Sequence, residues 1–497
     1  MAAADFDDGG TDVPGGVAGA VERVLVVGAG MSGLTVANAL TQAGVECVVL
    51  EARDRVGGRL HTVDVGGGPV DMGGSWIQMP DGNPLTAFAR LAGVPCRSAN
   101  PVPEMAAFDC GEGRRLSAAE TSELLDLYLE GFPEAAGGLL AGLGPDASMA
   151  EAIEAFVAAE DQAPGQAPSW ARRARQMLYA GIEAESADLA GRQSLRWMWN
   201  EHEYGGNYFG DVPDGGYRRL ADAMASGVDV RLGRPVSEIA ASPDGVRVLT
   251  ADGTAEEGSH VVVTVPLGVL KRGLPRFSPA LPSDRLAAIE RLGFGRFEKV
   301  ALRFTEPFWR DAGFPQLMVF PREPGEWMVW AMGLDAFGDG PVVVFFVFHS
   351  AAERLADADA DAHADTGADA WADWALGILA QATGRPCPQP TAAAVSSWAA
   401  DPWTAGAYTH IPPGAGPSDV DLLGEPVGGR LLFAGEHTQS ARLAYADGAM
   451  TSGIREAKRL LGTPAVRITA NSRSMGGGAA WPTPGGTMRP ADAGFLP

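Results

Sequence analysis

Cysteine, basic residues and long apolar runs are all scarce in this sequence. Four cysteines (Cys47, Cys96, Cys110 and Cys387) in 497 residues do not make a disulfide framework. None lies in a CxxC spacing, which excludes a zinc or redox motif of that type and leaves ordinary thiols in a reducing compartment. Lys and Arg number 38 against 62 Asp and Glu, a formal net charge of −24. A phosphate backbone wants a basic surface, so this balance argues against nucleic acid as a partner. It argues equally against docking on an anionic membrane. The charge suits a cationic small substrate, although solubility alone accounts for it. The most apolar run, Val342 to Phe348, is far too short to span a bilayer and reads as a buried strand. The first residues, MAAADFDDGGTDVPGG, have no basic n-region and do not read as a secretory signal. The expectation is a cytoplasmic protein with no metal site.

What remains is an ordinary globular composition, 46% hydrophobic and 20% charged. The length sets a prior of about three domains. Residues 1–20 read as disordered, with order beginning at Glu22. Arg23 to Val27 is a short apolar strand, followed by GAGMSG (Gly28 to Gly33) and an Ala-rich helix to Ala43. Gly44 stops that helix, and Glu46 to Leu50 forms a second strand ending at Glu51. This is one βαβ unit, the start of a parallel sheet covered by helices. Residues 117–200 show helical spacing, and strand signals return near 228–232, 246–249, 261–265, 299–305, 327–332 and 342–348. The Ala/Asp-rich stretch 351–377 reads as a solvated acidic helix or loop. A last strand at 430–433 and a helix at 448–461 precede a Gly, Pro and Met-rich tail.

Gly28-x-Gly30-x-x-Gly33 carries a mechanism. Gly28 permits the tight turn, Gly30 lets the backbone approach a pyrophosphate, and Gly33 lets the helix pack against the strand. The phosphates then meet the unpaired N–H groups of the helix N-terminus. Glu51 occupies the acidic position about 20 residues on that accepts ribose hydroxyls. GxGxxG alone is weak evidence, because a Gly-rich turn gives the same pattern. Strand, helix, strand and acid in order make a dinucleotide site.

ARDRVGGR (Ala52 to Arg59) and VDMGGSWI (Val70 to Ile77) come next in the chain. Here the sequence resembles the flavin-containing amine oxidases, which include polyamine oxidases, monoamine oxidases and flavin-type lysine demethylases. VPDGGYRRLADAM, RPVSEI, VVVTVPLGVLK, GRFEKV, WAADPWTAGAY and FAGEHT continue the resemblance over most of residues 22–462. It implies non-covalent FAD. The implied contacts are Gly28, Gly30, Met31, Ser32, Gly33, Glu51, Ala52, Arg53, Gly58 and Arg59 from the first unit. Gly73, Gly74, Ser75 and Trp76 would line the flavin. Val236, Trp398, Gly435, Glu436 and Ala446 complete the set. A Gly-rich clasp suits a long cofactor that the backbone must approach repeatedly.

The resemblance places Lys299 opposite flavin N5, where it would hold a water and help reoxidation or imine hydrolysis. An ammonium there stabilises developing negative charge, and burial depresses its pKa. Tyr408 and Tyr445 would flank the amine, since aromatic faces attract ammonium groups. Trp403 reads as a pocket wall, and His437 as structural. Three departures bear on substrate. Ala407 stands where monoamine oxidases carry the flavin-linking cysteine. Trp76 stands where amino-acid oxidases carry a carboxylate-binding arginine. Gln78 replaces the tunnel histidine of many polyamine oxidases, and Gln does not titrate.

The implied fold is α/β, with a GxGxxG, Rossmann-like FAD domain (21–84, 211–300 and 420–465) interleaved with a substrate domain of mixed sheet and helices (85–210 and 301–419). Residues 466–497 would be a flexible tail. The implied reaction takes a hydride from the α-carbon of a small, polyamine-like or other amine, with O2 as final acceptor. Three alternatives stay open: a tailoring oxidase that keeps or cyclises the imine, a flavin dehydrogenase or desaturase of a non-amine, and a scaffold flavoprotein. The oligomeric state is left open, and a homodimer is compatible with it.

Overall fold

The computed structural model describes residues 2–7, 16–100, 105–161, 169–313, 316–322, 328–349, 351–353 and 367–470. Its centre is a five-stranded, all-parallel sheet. The strand order is Asp229–Arg231, Glu46–Leu50, Arg23–Val27, His260–Val263 and Leu431–Phe433. Val24, Leu25 and Val26 are fully buried, as expected for a strand covered on both faces. Helix Met31–Gln42 follows the first of these strands, and helix Ala446–Leu461 packs along it. The close approach depends on glycine. A Cβ on Gly33 would stand 2.1 Å from Gly28 O, and one on Gly453 2.5 Å from Ser32 O.

A four-stranded sheet (Ala255–Gly258, Gly245–Thr250, Val236–Ser242, Arg276–Ser278) flanks this layer. A seven-stranded mixed sheet forms the second body. Its order is Ala392–Val395, Glu298–Arg303, Val342–Val347, Val329–Gly333, Gln316–Phe320, Met105–Asp109 and Arg114–Arg115. All six residues of Val342–Val347 are buried, because the sheet is covered on both faces. Val343, Phe345 and Val347 face helix Gly367–Thr383, through Trp371, Ala375 and Leu379. Val342, Val344 and Phe346 face helix Trp170–Ser186, through Met177 and Ala180. The strand register pairs Lys299 with Phe346, and Phe346 with Trp330. These three side chains form one cross-strand row on the face turned toward the Gly-rich segments.

Some expectations need correction. Residues 1–20 read as disordered and 466–497 as a flexible tail, yet Ala2–Phe6 pairs antiparallel with Val466–Ala470 over five residues. Phe6, Ile468 and Ala470 are buried in the core that also holds Leu34, Ala37 and Leu40. The Asn38 side chain exchanges two hydrogen bonds of 3.0 Å with the Thr469 backbone. Each end is too short to signal a strand alone, and each supplies the other's partner. Residues 8–15 and 471–497 lie outside the described residues, as does 354–366 of the acidic stretch. The boundary placed at 300 would cut the strand Glu298–Arg303, which belongs whole to the seven-stranded sheet.

Candidate active site

A cavity of about 970 Å³ runs between the two bodies. One end is built from the first βαβ unit. Gly28 sits at φ +108°, and Gly30 is the extended N-cap of the first helix. A Cβ on Gly30 would meet nothing within 4 Å, so the backbone at Gly30 borders open space in the cavity. Glu51 is 4% exposed. Its carboxylate accepts from Ala29 N–H at 2.7 Å and Arg53 N–H at 2.9 Å. Two oxygens hold more lone pairs than these bonds use, which leaves capacity for ribose hydroxyls. Arg53 is held in turn by Asp401 at 2.6 Å. Val236 and Arg234 close this end, and Arg234 N–H donates to Glu51 O at 2.7 Å.

The middle of the cavity is a clasp. Arg59 donates to Glu436 at 2.9 Å and to Ala407 O at 2.6 Å. Glu436 also accepts from Thr409 Oγ1 and Ala444 N–H, both at 3.1 Å. A Cβ on Gly73 would fall 1.8 Å from Arg59 O, so the second Gly-rich segment lies directly on the first. Trp398 Nε1 donates to Met72 O at 2.9 Å and backs this contact. His437 is buried, and burial lowers its imidazole to about 4. The imidazole is therefore neutral near pH 7.

Lys299 pins the clasp from below. Its ammonium donates to Gly73 O and Ser75 Oγ at 2.6 Å and to Asp71 O at 3.0 Å. It lies 5.6 Å from the Trp76 ring centre and 5.5 Å from that of Phe346. Burial pulls its pKa down to about 8, against the nearby Asp71 charge that raises it. Burial also pushes the Asp71 carboxyl up to about 6. All three ammonium hydrogens are thus directed at protein acceptors, and holding a water as well requires one of these to be shared.

The far end is aromatic. Trp76, Trp330 and Phe346 stack, with 4.7 Å between the centres of Trp330 and Phe346, and Phe209 meets Trp330 edge-on at 5.6 Å. Tyr408 lies 6.0 Å from Phe297 and donates its hydroxyl to Ala184 O. Tyr445 donates to Glu201 at 3.2 Å, and the Arg442 guanidinium lies 3.8 Å over its ring. Arg442 is fixed by Asp447 at 2.6 and 3.2 Å. Glu185 accepts from Tyr208 at 2.6 Å and from Tyr128 at 2.9 Å. Burial raises the Glu185 carboxyl, and pushes that of Glu201 up to about 7.

All the cofactor and catalytic candidates from the sequence line this cavity except Gly33, which supports it by packing; His437 lies outside the lining. The cavity thus collects Gly28, Gly30, Met31, Ser32, Glu51, Ala52, Arg53, Gly58, Arg59, Gly73, Gly74, Ser75, Trp76 and Gln78. It also collects Val236, Lys299, Trp398, Trp403, Tyr408, Gly435, Glu436, Tyr445 and Ala446. Sequence reasoning missed Trp330, Phe346, Phe209, Tyr208, Glu185 and Glu201. Strand alternation offers a signal for Phe346 alone, two residues from Val344 on one face. Among the described residues no group of three or more His, Cys, Asp or Glu could hold a metal, and no helix is long and apolar enough to cross a membrane.

A glycine cradle with a buried acid beside it, a second Gly-rich clasp and an aromatic chamber lie along one cavity, the layout of a dinucleotide-binding oxidoreductase. The family model for flavin-containing amine oxidoreductases matches residues 31–461, and the chain belongs to that family. Its cofactor is FAD. Lysine-specific histone demethylase 1 homolog 2 from Oryza sativa subsp. japonica is 32% identical over 464 residues, covering 90% of this chain and 58% of the relative. Protein FLOWERING LOCUS D from Arabidopsis thaliana is 31% identical, covering 88% of this chain and 55% of the relative. The chain therefore spans a little over half the length of these relatives. A double mutant of putrescine oxidase, redesigned in its cofactor binding, superposes with a TM-score of 0.67 at 22% identity. The match covers 88% of this chain and 99% of that one, and shows the shared fold.

Proposed function

We propose that this protein oxidises the C–N bond of a small amine to an imine, with O2 as final electron acceptor and H2O2 as by-product. One observation carries the reading: the row Lys299, Phe346 and Trp330 meets Tyr408 and Tyr445 in a cavity continuous with the dinucleotide cradle. The bound flavin supplies the hydride acceptor, and the protein orients and tunes it. Tyr408 and Tyr445 offer ring faces that attract an amine. Their hydroxyls are anchored to Ala184 O and Glu201, so the rings are held in place. Trp76, Trp330 and Phe346 exclude water from the reacting end, which strengthens each charge interaction there. Lys299 holds its proton against Gly73 O and Ser75 Oγ, beside the place where negative charge develops. Gln78 contributes a neutral amide. With Ala407 at the linking position, the cofactor is held without a covalent bond through that residue.

The test is anaerobic bleaching of the FAD-loaded protein against mono-, di-, poly- and aromatic amines and a methyl-lysine peptide. Bleaching by an amine, with peroxide on readmission of air, is the expected result. Product masses tell a hydrolysed imine from one that is kept or cyclised. Flavin that no amine bleaches refutes the proposal, and bleaching by the peptide alone replaces the small amine with a protein side chain.

A further inference from the structure

A second, smaller cavity of about 50 Å³ lies behind Lys299. Lys299, Ser75, Trp76 and Phe346 line both cavities and form the partition between them. Asp71 lines the rear cavity and not the main one. Its carboxylate is held by the Thr62 hydroxyl and by Tyr217 N–H at 3.0 and 3.1 Å, and the residue keeps part of its surface accessible. The far wall carries Arg97 and Asp339, paired at 2.8 and 3.1 Å. Arg97 also pairs with Asp214. These side chains are 32%, 21% and 40% exposed for Arg97, Asp339 and Asp214, so the rear cavity ends at a surface ion-pair cluster. A water needs roughly 10–15 Å³ of such space and two to four polar partners. This cavity has room for a few waters and presents Asp71, Asp339, Arg97 and Ser75 to them.

We propose that the rear cavity is a water-filled proton path joining Lys299 to the surface, with Ser75 as its inner relay and the Arg97–Asp339 pair at its mouth. It rests on the amine-oxidase reading for its purpose. An ammonium substrate gives one proton to solvent before its α-carbon gives up a hydride, leaving an iminium. That hydride, passed on to O2 together with one proton from solvent, makes H2O2. Each cycle therefore moves one proton out of an enclosed site and one in. Lys299 is the titratable group at the partition, and Ser75 Oγ accepts from it at 2.6 Å. The Ser75 hydroxyl keeps one hydrogen of its own, and its bonds to Gly73 O and Asp71 O are long, at 3.3 and 3.5 Å. That hydrogen is free to turn to a water on the rear side. Asp71 and Asp339 then accept in sequence toward solvent.

The test needs no amine. FAD-loaded protein is photoreduced without substrate and mixed with O2 in weak buffer containing a pH indicator. Return of flavin colour and proton uptake are recorded together. In the wild type they coincide. Val212→Phe fills the cavity from its lining, and Ser75→Ala removes the relay. Both should slow proton uptake at least ~10-fold, while Asp339→Asn slows it less. A crystal structure of the wild type should hold ordered water between Ser75, Asp71 and Asp339, and the Val212→Phe crystal should lack it. A dry cavity in the wild type, or wild-type timing in both slow variants, overturns the proposal. So does a raised KM for O2 with unchanged proton timing, which marks an oxygen inlet instead. Failure of any amine to bleach the flavin refutes the amine reading and leaves these measurements untouched. A flavin that O2 does not reoxidise refutes the oxidase step, and the crystal water then decides the path alone.

Discussion

Replacing Lys299 by Met separates what this side chain does for stability from what it does for chemistry. Lys299 is 4% exposed, and its pKa falls from 10.5 to about 8 through burial. Below about pH 8 the folded and unfolded chains both hold the proton, and the desolvation cost stands in full. Between about 8 and 10.5 only the unfolded chain keeps it. The group's contribution to stability therefore grows as pH rises through that window, and is lost again as pH falls back through it. The full amplitude is ~3 kcal/mol, at 1.36 kcal/mol for each tenfold change in proton affinity. Met has no such proton. The assay is urea unfolding of wild type and Lys299→Met at several pH values from 7.5 to 10, read as the difference between the two curves. That difference should move in favour of the wild type by ~1–3 kcal/mol across the window. Lys299→Arg keeps a charge that does not titrate there, so it should also lack the slope. Parallel curves would refute the buried, depressed lysine. Stopped-flow reoxidation should fall at least ~10-fold in Lys299→Met, or ~1.4 kcal/mol, and unchanged traces would refute the catalytic role.

Other perturbations test the remaining walls. Glu51→Gln turns an NH2 group toward one of the backbone N–H groups of Ala29 and Arg53 that the carboxylate now serves. Charge-assisted bonds of this kind contribute roughly 1.5–3 kcal/mol each, so the Kd for FAD by fluorescence titration should rise at least ~10-fold. Gly73→Ala forces a methyl to within 1.8 Å of Arg59 O, and the purified variant should carry well under one FAD per chain by absorbance. Trp330→Ala removes a stacked wall, and kcat/KM for an accepted amine should drop ~10-fold, mostly through KM. Deleting residues 1–7 strips Phe6 and the 2.6 Å Lys458–Asp7 pair, and leaves the strand Val466–Ala470 as an open edge. Its apo form should lose roughly 3 kcal/mol in urea unfolding and aggregate sooner.

The dinucleotide end was legible because its chemistry is local. Gly28 to Glu51 is one continuous unit whose spacing is fixed by turn, helix and strand geometry, so the residues name their own neighbours. The aromatic chamber was legible only where a motif extended into it, at Trp76, Tyr408 and Tyr445. Trp330 and Phe346 come from strands whose register no residue in the sequence announces. Their place beside Lys299 is decided by three strands pairing in the order Glu298–Arg303, Val342–Val347, Val329–Gly333. Glu185 and Glu201 sit at a helix end and in an irregular loop, where periodicity is silent. The strand pairing of residues 2–6 with 466–470 was invisible for a related reason. Each partner is five residues long and lies more than 450 positions from the other.

That pairing has a consequence for how the protein comes off the ribosome. The main cavity draws its walls from Gly28 to Ser32, from Gly73 to Trp76, and from Gly435 to Ala446. The parallel sheet beneath it is incomplete until Leu431–Phe433 is added, and the first helix lacks its partner until Ala446–Leu461 is made. A nascent fragment that stops before those segments lacks one wall of the cavity and one strand of its sheet. The cavity is therefore complete only once those late segments have been made. Until then the first βαβ unit waits with its apolar strand edge uncovered, and depends on speed of synthesis or on chaperones to stay soluble.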